Sequence, residues 1–223
     1  MNLATTSSGD DDSSFEKIAA ALLHRSWVVV PDAMPAELTE ALFAQVRAMT
    51  PEDFAAAGVG RSHAYTLNSF IRRDEIRWID GSTTAEQAWL DWAARLQRYL
   101  NRRLYLGLFS FESHFAHYGP GAFYKKHLDA FRADEHERGA RRILSLVAYL
   151  NPGWQSADGG ELVIYDEHGD STLQRVMPAY GTVAVFLSDQ VPHEVAAARR
   201  DRYSIAGWFR VNGSRGDRAD PPR

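Results

Sequence analysis

Apolar positions along this chain follow two periods, and the switch between them divides it. Between residues 15 and 25, Phe15, Ile18, Ala19, Leu22 and Leu23 recur at helical spacing, with Ser13 or Ser14 available as an N-cap. The β-branched run Trp27–Val30 is closed by Pro31 and Asp32 and reads as a strand. A second helix is predicted from Pro35 to about Met49, with Pro51 ending it. In the third helix, which Thr83 or Thr84 caps, Ala88, Leu90, Trp92, Leu96, Tyr99 and Leu100 alternate with charged residues through about Arg103, an amphipathic pattern suited to packing on a sheet. After Tyr105 the period becomes two, in short segments rich in Val, Ile, Leu, Phe and Tyr separated by Gly, Pro, Asp and Asn. Strands are predicted at 108–118, 123–128, 143–150, 161–165, 172–176, 182–187, 193–195 and 203–211. Eight strands after a helical region predict an α+β fold: two facing antiparallel sheets in a double-stranded β-helix (jelly-roll) core, with the N-terminal helices supporting one outer face.

Composition narrows the picture. A length of 223 residues suits one domain, and 45% hydrophobic with 12% aromatic residues is enough to bury a core. The 25 basic and 29 acidic residues leave a net charge of −4, without the attraction that most nucleic-acid binders rely on. Cysteine is absent, which excludes disulfides and thiolate sites and leaves histidine and carboxylate as metal ligands. The longest apolar runs fall far short of the ~20 residues of a membrane span, so no membrane partner is expected. Residues 1–14 have neither the basic start nor the apolar stretch of a secretory signal. They read as a disordered tail, as do residues 212–223, and a cytoplasmic location is expected. Between the tails, 15–104 reads as a helical support region and 105–211 as the β core. Lysine occurs only at positions 17, 125 and 126, a bias toward arginine that suggests a GC-rich bacterial genome.

Two of the eight histidines stand out. His127 and Asp129 are two apart at a strand end, where the period of two turns both side chains to one face. His193 opens a later strand and could complete a set of two imidazoles and one carboxylate, the arrangement that suits non-haem Fe(II) and leaves three positions open. An H-x-D pair alone is also what a surface hydrogen bond or strand-end cap looks like. The surface reading loses ground nine residues after His193, where Arg202 opens a strand. Facing inward, its guanidinium would be a buried unpaired charge unless it met an anion, and its fork suits a carboxylate. His114 and His117, three apart in one strand, project to opposite faces and read as ordinary strand residues, and Gly159-Gly160 reads as a turn.

Several segments in order carry a family resemblance: residues 71–81, Tyr124 with His127-Leu128-Asp129, Ala148-Tyr149-Leu150-Asn151 followed by Trp154, Gly159-Gly160-Glu161-Leu162, Pro192-His193-Glu194-Val195, and Arg202-Tyr203-Ser204-Ile205 with Trp208. With these the chain resembles the prolyl 4-hydroxylase-like 2-oxoglutarate/Fe(II)-dependent dioxygenases, in particular the hypoxia-sensing prolyl hydroxylases and their bacterial relatives. The resemblance implies that His127, Asp129 and His193 ligate Fe(II), that Arg202 pairs with the distal carboxylate of 2-oxoglutarate, and that Tyr149 hydrogen-bonds the same carboxylate. It places Tyr118 near the chelating end of that cosubstrate, although the link from Tyr118 to His127 is one residue shorter here. Tyr124, Arg142 and Trp208 match positions lining the target pocket, and Arg72 with Asp74 match a pair bracing a mobile loop, about 57–78, that covers it. Core packing for Tyr149 and Trp208, and a surface ion pair for Arg72 and Asp74, stand as the plainer alternatives.

The resemblance implies O2-dependent hydroxylation of a protein substrate at proline, giving 4-hydroxyproline with release of succinate and CO2, and it extends to a translation factor as target and to ascorbate binding. Other readings stay open: hydroxylation of a small molecule or another amino acid on the same scaffold, a 2-oxoglutarate-independent cupin-type metalloenzyme, or a silent binding module.

Overall fold

The computed structural model describes residues 8–57, 70–130 and 141–212. Three helices precede most of the strands: α1 (Ser8–Leu22), β1 (Trp27–Val30), α2 (Ala36–Ala48), β2 (Ala55–Ala56), β3 (Glu75–Trp78) and α3 (Thr84–Leu104). Then come β4 (Leu108–Tyr118), β5 (Tyr124–His127), β6 (Arg142–Tyr149), β7 (Leu162–Tyr165), β8 (Thr172–Val176), β9 (Val183–Leu187), β10 (His193–Val195) and β11 (Arg202–Val211). They form a seven-stranded sheet, β1-β9-β6-β11-β4-β3-β2, and a four-stranded sheet, β5-β10-β7-β8, with every pairing antiparallel.

Strand alternation sends the large sheet's side chains to two cores. On one face Phe115, Leu144, Leu146, Val183, Val185, Ile205 and Phe209 pack under Trp89, Trp92 and Leu96 of α3. On the other, Tyr118, Tyr149 and Phe186 meet Leu162, Ile164 and Val195 of the small sheet. This second layer is the jelly-roll interior. On the helix side a close approach dictates a glycine: a Cβ on Gly207 would lie 2.5 Å from the Phe111 ring, which packs at 4.5 Å against Phe209.

Two features differ from the sequence reading. Residues 8–14, read as tail, belong to α1, because Asp11 is buried and accepts hydrogen bonds from Trp92 Nε1 at 3.2 Å and Arg95 Nη2 at 2.7 Å. Residues 1–7 and 213–223 lie outside the described residues. Part of the expected covering loop, residues 75–78, is instead β3, which adds β2 to the edge of the large sheet, while 58–69 lie outside the described residues.

α3 is fixed by a carboxylate. Thr83 caps it by accepting from Glu86 N at 3.1 Å. The fully buried Glu86 side chain accepts from Gln45 Nε2 of α2 and Arg77 Nη1 of β3, each at 2.6 Å, and from the backbone N–H of Asp80, Gly81 and Ser82 at 3.0 to 3.2 Å. Removing it deprives a half-buried guanidinium and three backbone amides of their shared acceptor. Glu86→Ala is therefore expected to cost about 3–5 kcal/mol, read as a lowered urea midpoint at unchanged slope.

Candidate active site

His127, the last residue of β5, pairs in register with His193, the first residue of β10. Their rings face each other at 4.3 Å between centroids. Asp129 follows in the turn after β5, which is tied down by the Ala130 N–H on the Ser188 carbonyl at 3.0 Å. Its carboxylate lies 3.5 Å from His127 Nε2 and 3.8 Å from His193 Nε2, and one donor atom from each residue falls within 4.8 Å of the others. His127 Nδ1 is 2.7 Å from the Lys125 carbonyl and His193 Nδ1 is 3.0 Å from the Val191 carbonyl. Because a carbonyl only accepts, each Nδ1 carries the proton and each Nε2 presents a bare lone pair to the cluster.

Burial alone would raise the Asp129 carboxyl. The His193 and His127 rings and the Ser145 hydroxyl outweigh it and hold the group well below the usual carboxylate range. Burial and the neighbouring His127 lower His193 to about 4, against the pull of Asp129, so it is neutral at neutral pH. Ser145 Oγ donates to Asp129 Oδ2 at 2.6 Å and is itself 2.9 Å from Ser188 Oγ, a buried relay that fixes the carboxylate's orientation. Two imidazole Nε2 atoms and a carboxylate are the donor set that suits a divalent iron ion.

Across the interior, on the large sheet, sits a buried cation. Arg202 is 1% exposed, and Tyr118 and Tyr149 lie 4.8 and 5.2 Å from its guanidinium carbon. Nε donates to the Gly160 carbonyl at 2.9 Å and Nη1 to Ser204 Oγ at 3.2 Å, while Nη2 and the Tyr149 hydroxyl have no partner among the described residues. Burial pushes the Tyr149 phenol up to about 12, against the favourable Arg202 charge, so it remains a donor. A buried guanidinium with a spare donor beside a spare hydroxyl fits a carboxylate, as 2-oxoglutarate would bring. Gly160, at φ +69°, makes the seat possible: a Cβ there would lie 3.1 Å from Arg202 Cδ and 3.2 Å from Trp154. Gly159-Gly160 is thus a turn that also seats the arginine.

The remaining predicted residues form two stacks. Arg72 makes a bidentate pair with buried Asp74, at 2.7 and 2.5 Å, and lies over the Tyr124 ring at 4.3 Å; Tyr124 in turn stacks on His127 at 3.6 Å. Arg142 pairs with Glu112 at 2.8 Å and lies 3.6 Å over Trp208, whose buried Nε1–H has no partner among the described residues. Residues 132–140 of the charged run lie outside the described residues.

The sequence reading did not single out Ser145 or Ser188 and took His114 for an ordinary strand residue. The buried His114 ring packs between Trp78 and Trp208, with centroids at 5.2 and 5.4 Å. Parity along β4 was the available signal, since His114 shares a sheet face with Tyr118.

Residues 113–210 match the model of the 2OG-Fe(II) oxygenase superfamily. A prolyl-4-hydroxylase crystal structure from Pseudomonas putida is 40% identical, with a TM-score of 0.77 over 88% of this chain and 98% of that one. The chain belongs to the 2OG-Fe(II) oxygenase superfamily. A prolyl hydroxylase from Trichoplax adhaerens, solved with a hypoxia inducible factor oxygen degradation domain peptide fragment, shares the oxygenase fold at a TM-score of 0.76 and 23% identity, over 92% of this chain and 94% of that one. Egl nine homolog 1 of Homo sapiens is 27% identical over 206 residues, 88% of this chain and 46% of that protein, and its Mus musculus counterpart is 28% identical over 210 residues, 88% and 49%. This oxygenase thus spans about half the length of those curated relatives. Among its described residues no helix is long and apolar enough to cross a membrane.

His114, at 3% exposure, makes the metal-free protein sensitive to acid. Burial lowers it to about 4, with Arg72 and Arg142 adding to the effect and Asp74 opposing it. The unfolded chain, with an ordinary imidazole near 6.5, binds the proton first, so stability is full above that pH and falls as pH drops toward 4. From pH 7 to pH 5 this one group is expected to remove about 2 kcal/mol. Urea midpoints at the two pH values should show this loss in the wild type and a smaller loss in His114→Met.

Proposed function

We propose that this chain is a peptidyl-prolyl 4-hydroxylase acting on a protein substrate, with Fe(II) held by His127, Asp129 and His193. The observation that carries the oxygenase half is the juxtaposition of that donor set with a buried arginine whose spare donor lacks an anion. The prolyl half rests on the 40% identity with the Pseudomonas putida prolyl-4-hydroxylase over nearly all of that chain. When bound, Fe(II), 2-oxoglutarate and O2 supply the oxidising chemistry, in which 2-oxoglutarate is converted to succinate and CO2 and one oxygen atom enters a substrate C–H bond.

The chain's own residues do the positioning. Arg202 and the Tyr149 hydroxyl grip the distal carboxylate of the cosubstrate, and Tyr118 walls its chelating end. Backbone carbonyls at Lys125 and Val191 hold the two imidazoles as Nδ1–H tautomers, so no proton has to leave before they bind metal. Ser145 keeps the carboxylate turned toward the ion. Tyr124, Arg142 and Trp208 line the target pocket. The segment leading into β3 borders it, a role supported by the Arg73 N–H on the Phe123 carbonyl at 2.9 Å and the Lys125 N–H on the Ile71 carbonyl at 2.8 Å, which stitch its end to the strand carrying His127. Arg72 and Asp74 brace that end. A bacterial, cytoplasmic setting, a translation factor as target and ascorbate as an accessory reductant complete the reading, supported by composition and by resemblance. The unpaired Nη2 of the buried Arg202 favours this account over a cupin-type enzyme working without 2-oxoglutarate.

Incubating a bacterial extract with enzyme, Fe(II) and 2-oxoglutarate should add one oxygen atom to a proline of a specific peptide, with stoichiometric succinate. Succinate without any modified proline overturns the prolyl half, and no succinate overturns both. Ser145→Ala is expected to raise the Fe(II) concentration for half-maximal succinate formation by about 10- to 100-fold, and Arg202→Ala to raise mainly the 2-oxoglutarate requirement.

A further inference from the structure

His114 stands in β4 opposite Ala206 of β11, in register with Trp78 of β3 on its other side. Its ring touches Trp208, whose own partner across β6 is Ser145, the hydroxyl that holds Asp129. The imidazole is therefore on the wall of the proposed target pocket, two strands from the carboxylate's support. Its Nδ1 lies 3.2 Å from the Phe115 carbonyl, which makes Nδ1 the protonated nitrogen and Nε2 an acceptor. Nε2 has no hydrogen-bond partner among the described residues and keeps a small opening, in a side chain that is 3% exposed. Beside it is the mirror-image deficit, the buried Trp208 Nε1–H without an acceptor. Buried polar groups in folded proteins are almost always paired, so the bare buried donor of Trp208 beside an open acceptor marks a surface shaped for something that brings both.

We propose that His114 is a specificity-determining residue that accepts a hydrogen bond from the backbone N–H of the residue following the target proline. This rests on the prolyl-peptide reading above. Proline has no N–H, so the first donor on its C-terminal side is the next residue's amide. In an extended chain that residue's N–H and C=O point the same way, as they do toward a β partner, so one residue offers a donor for His114 Nε2 and an acceptor for Trp208 Nε1. The charged groups around the ring are Asp74, Arg72 and Arg142, and burial keeps it neutral, so the acceptor is present at neutral pH. A substrate without that N–H leaves Nε2 buried and unpaired, and sites built around a hydrogen bond discriminate strongly against the analogue that lacks it. Targets in which a second proline follows the first are thereby disfavoured.

The test uses the peptide found hydroxylated in the extract experiment, made once with its native amide after the target proline and once with an ester there. In the wild type the ester should raise KM by about tenfold with a smaller change in kcat. In His114→Met the amide peptide should already show that raised KM, and the ester should add less than twofold. A wild-type penalty below twofold overturns the role of His114 without reference to any variant, and so does an equal penalty in wild type and His114→Met. In both cases proline hydroxylation itself stands. An extract that yields no hydroxylated proline overturns the prolyl reading and this role with it.

Discussion

The guanidinium of Arg202 is buried between two phenol rings, and no carboxylate among the described residues faces it. An uncompensated buried charge costs several kcal/mol, and this one is built into the central strand of the large sheet, where its backbone cannot move aside. The surroundings reduce the penalty without removing it: one carbonyl, one hydroxyl and two aromatic faces occupy everything except Nη2. Strain of this kind is a reason for a ligand. On the proposed reading the missing anion arrives with the cosubstrate, and the same molecule spans the interior from the large sheet to the imidazoles of the small one, which gives an electrostatic reason for the two sheets to enclose it.

The two halves of the site are prepared by different means. The imidazoles are set by their own backbones, since each Nδ1 is answered by a carbonyl two residues upstream. Asp129 is set from a distance: Ser145 comes from β6 and Ser188 from the end of β9, both in the opposite sheet. A carboxylate between two imidazoles has rotational freedom that they do not, so the oxygen that accepts from Ser145 selects which face the carboxylate turns inward.

What was legible in the sequence was what depends on period or on close spacing. His127 and Asp129 are two apart on a strand, and Trp92, Leu96 and Tyr99 lie on one helical stripe, so local geometry alone groups them. What was illegible depends on register between distant strands. His114 and His117 were correctly assigned to opposite faces, yet only the register of His114 with Ala206 and Trp78 brings its ring against Trp208 and Trp78. The early start of α1 was hidden because Asp11 is satisfied by Trp92, 81 positions away. β3 escaped notice because the Glu75-Ile76-Arg77-Trp78 run, although it alternates, is only four residues long and buries no side chain fully.

That last strand shows how the frame and the pocket are connected. Successive β residues project to opposite faces, so Arg77 turns toward the helices and reaches Glu86 while Trp78 turns the other way and meets His114. A strand of four residues with no buried apolar side chain, flanked on its outer side only by the two residues of β2, has little intrinsic reason to stay in place. It is held by an ion pair to α3 on one face, an aromatic contact on the other, and the His117 ring pairing Glu75 with Asp201 near its start, at 3.4 and 2.8 Å. The segment that begins at Ile71 and leads into this strand is stitched to β5 beside His127. Movement of β3 therefore cannot be confined to the rim: it displaces Trp78 from the His114 ring and pulls on the strand that carries an imidazole of the proposed metal site. The buried carboxylate of Glu86, far from the reacting atoms, limits that movement by holding Arg77.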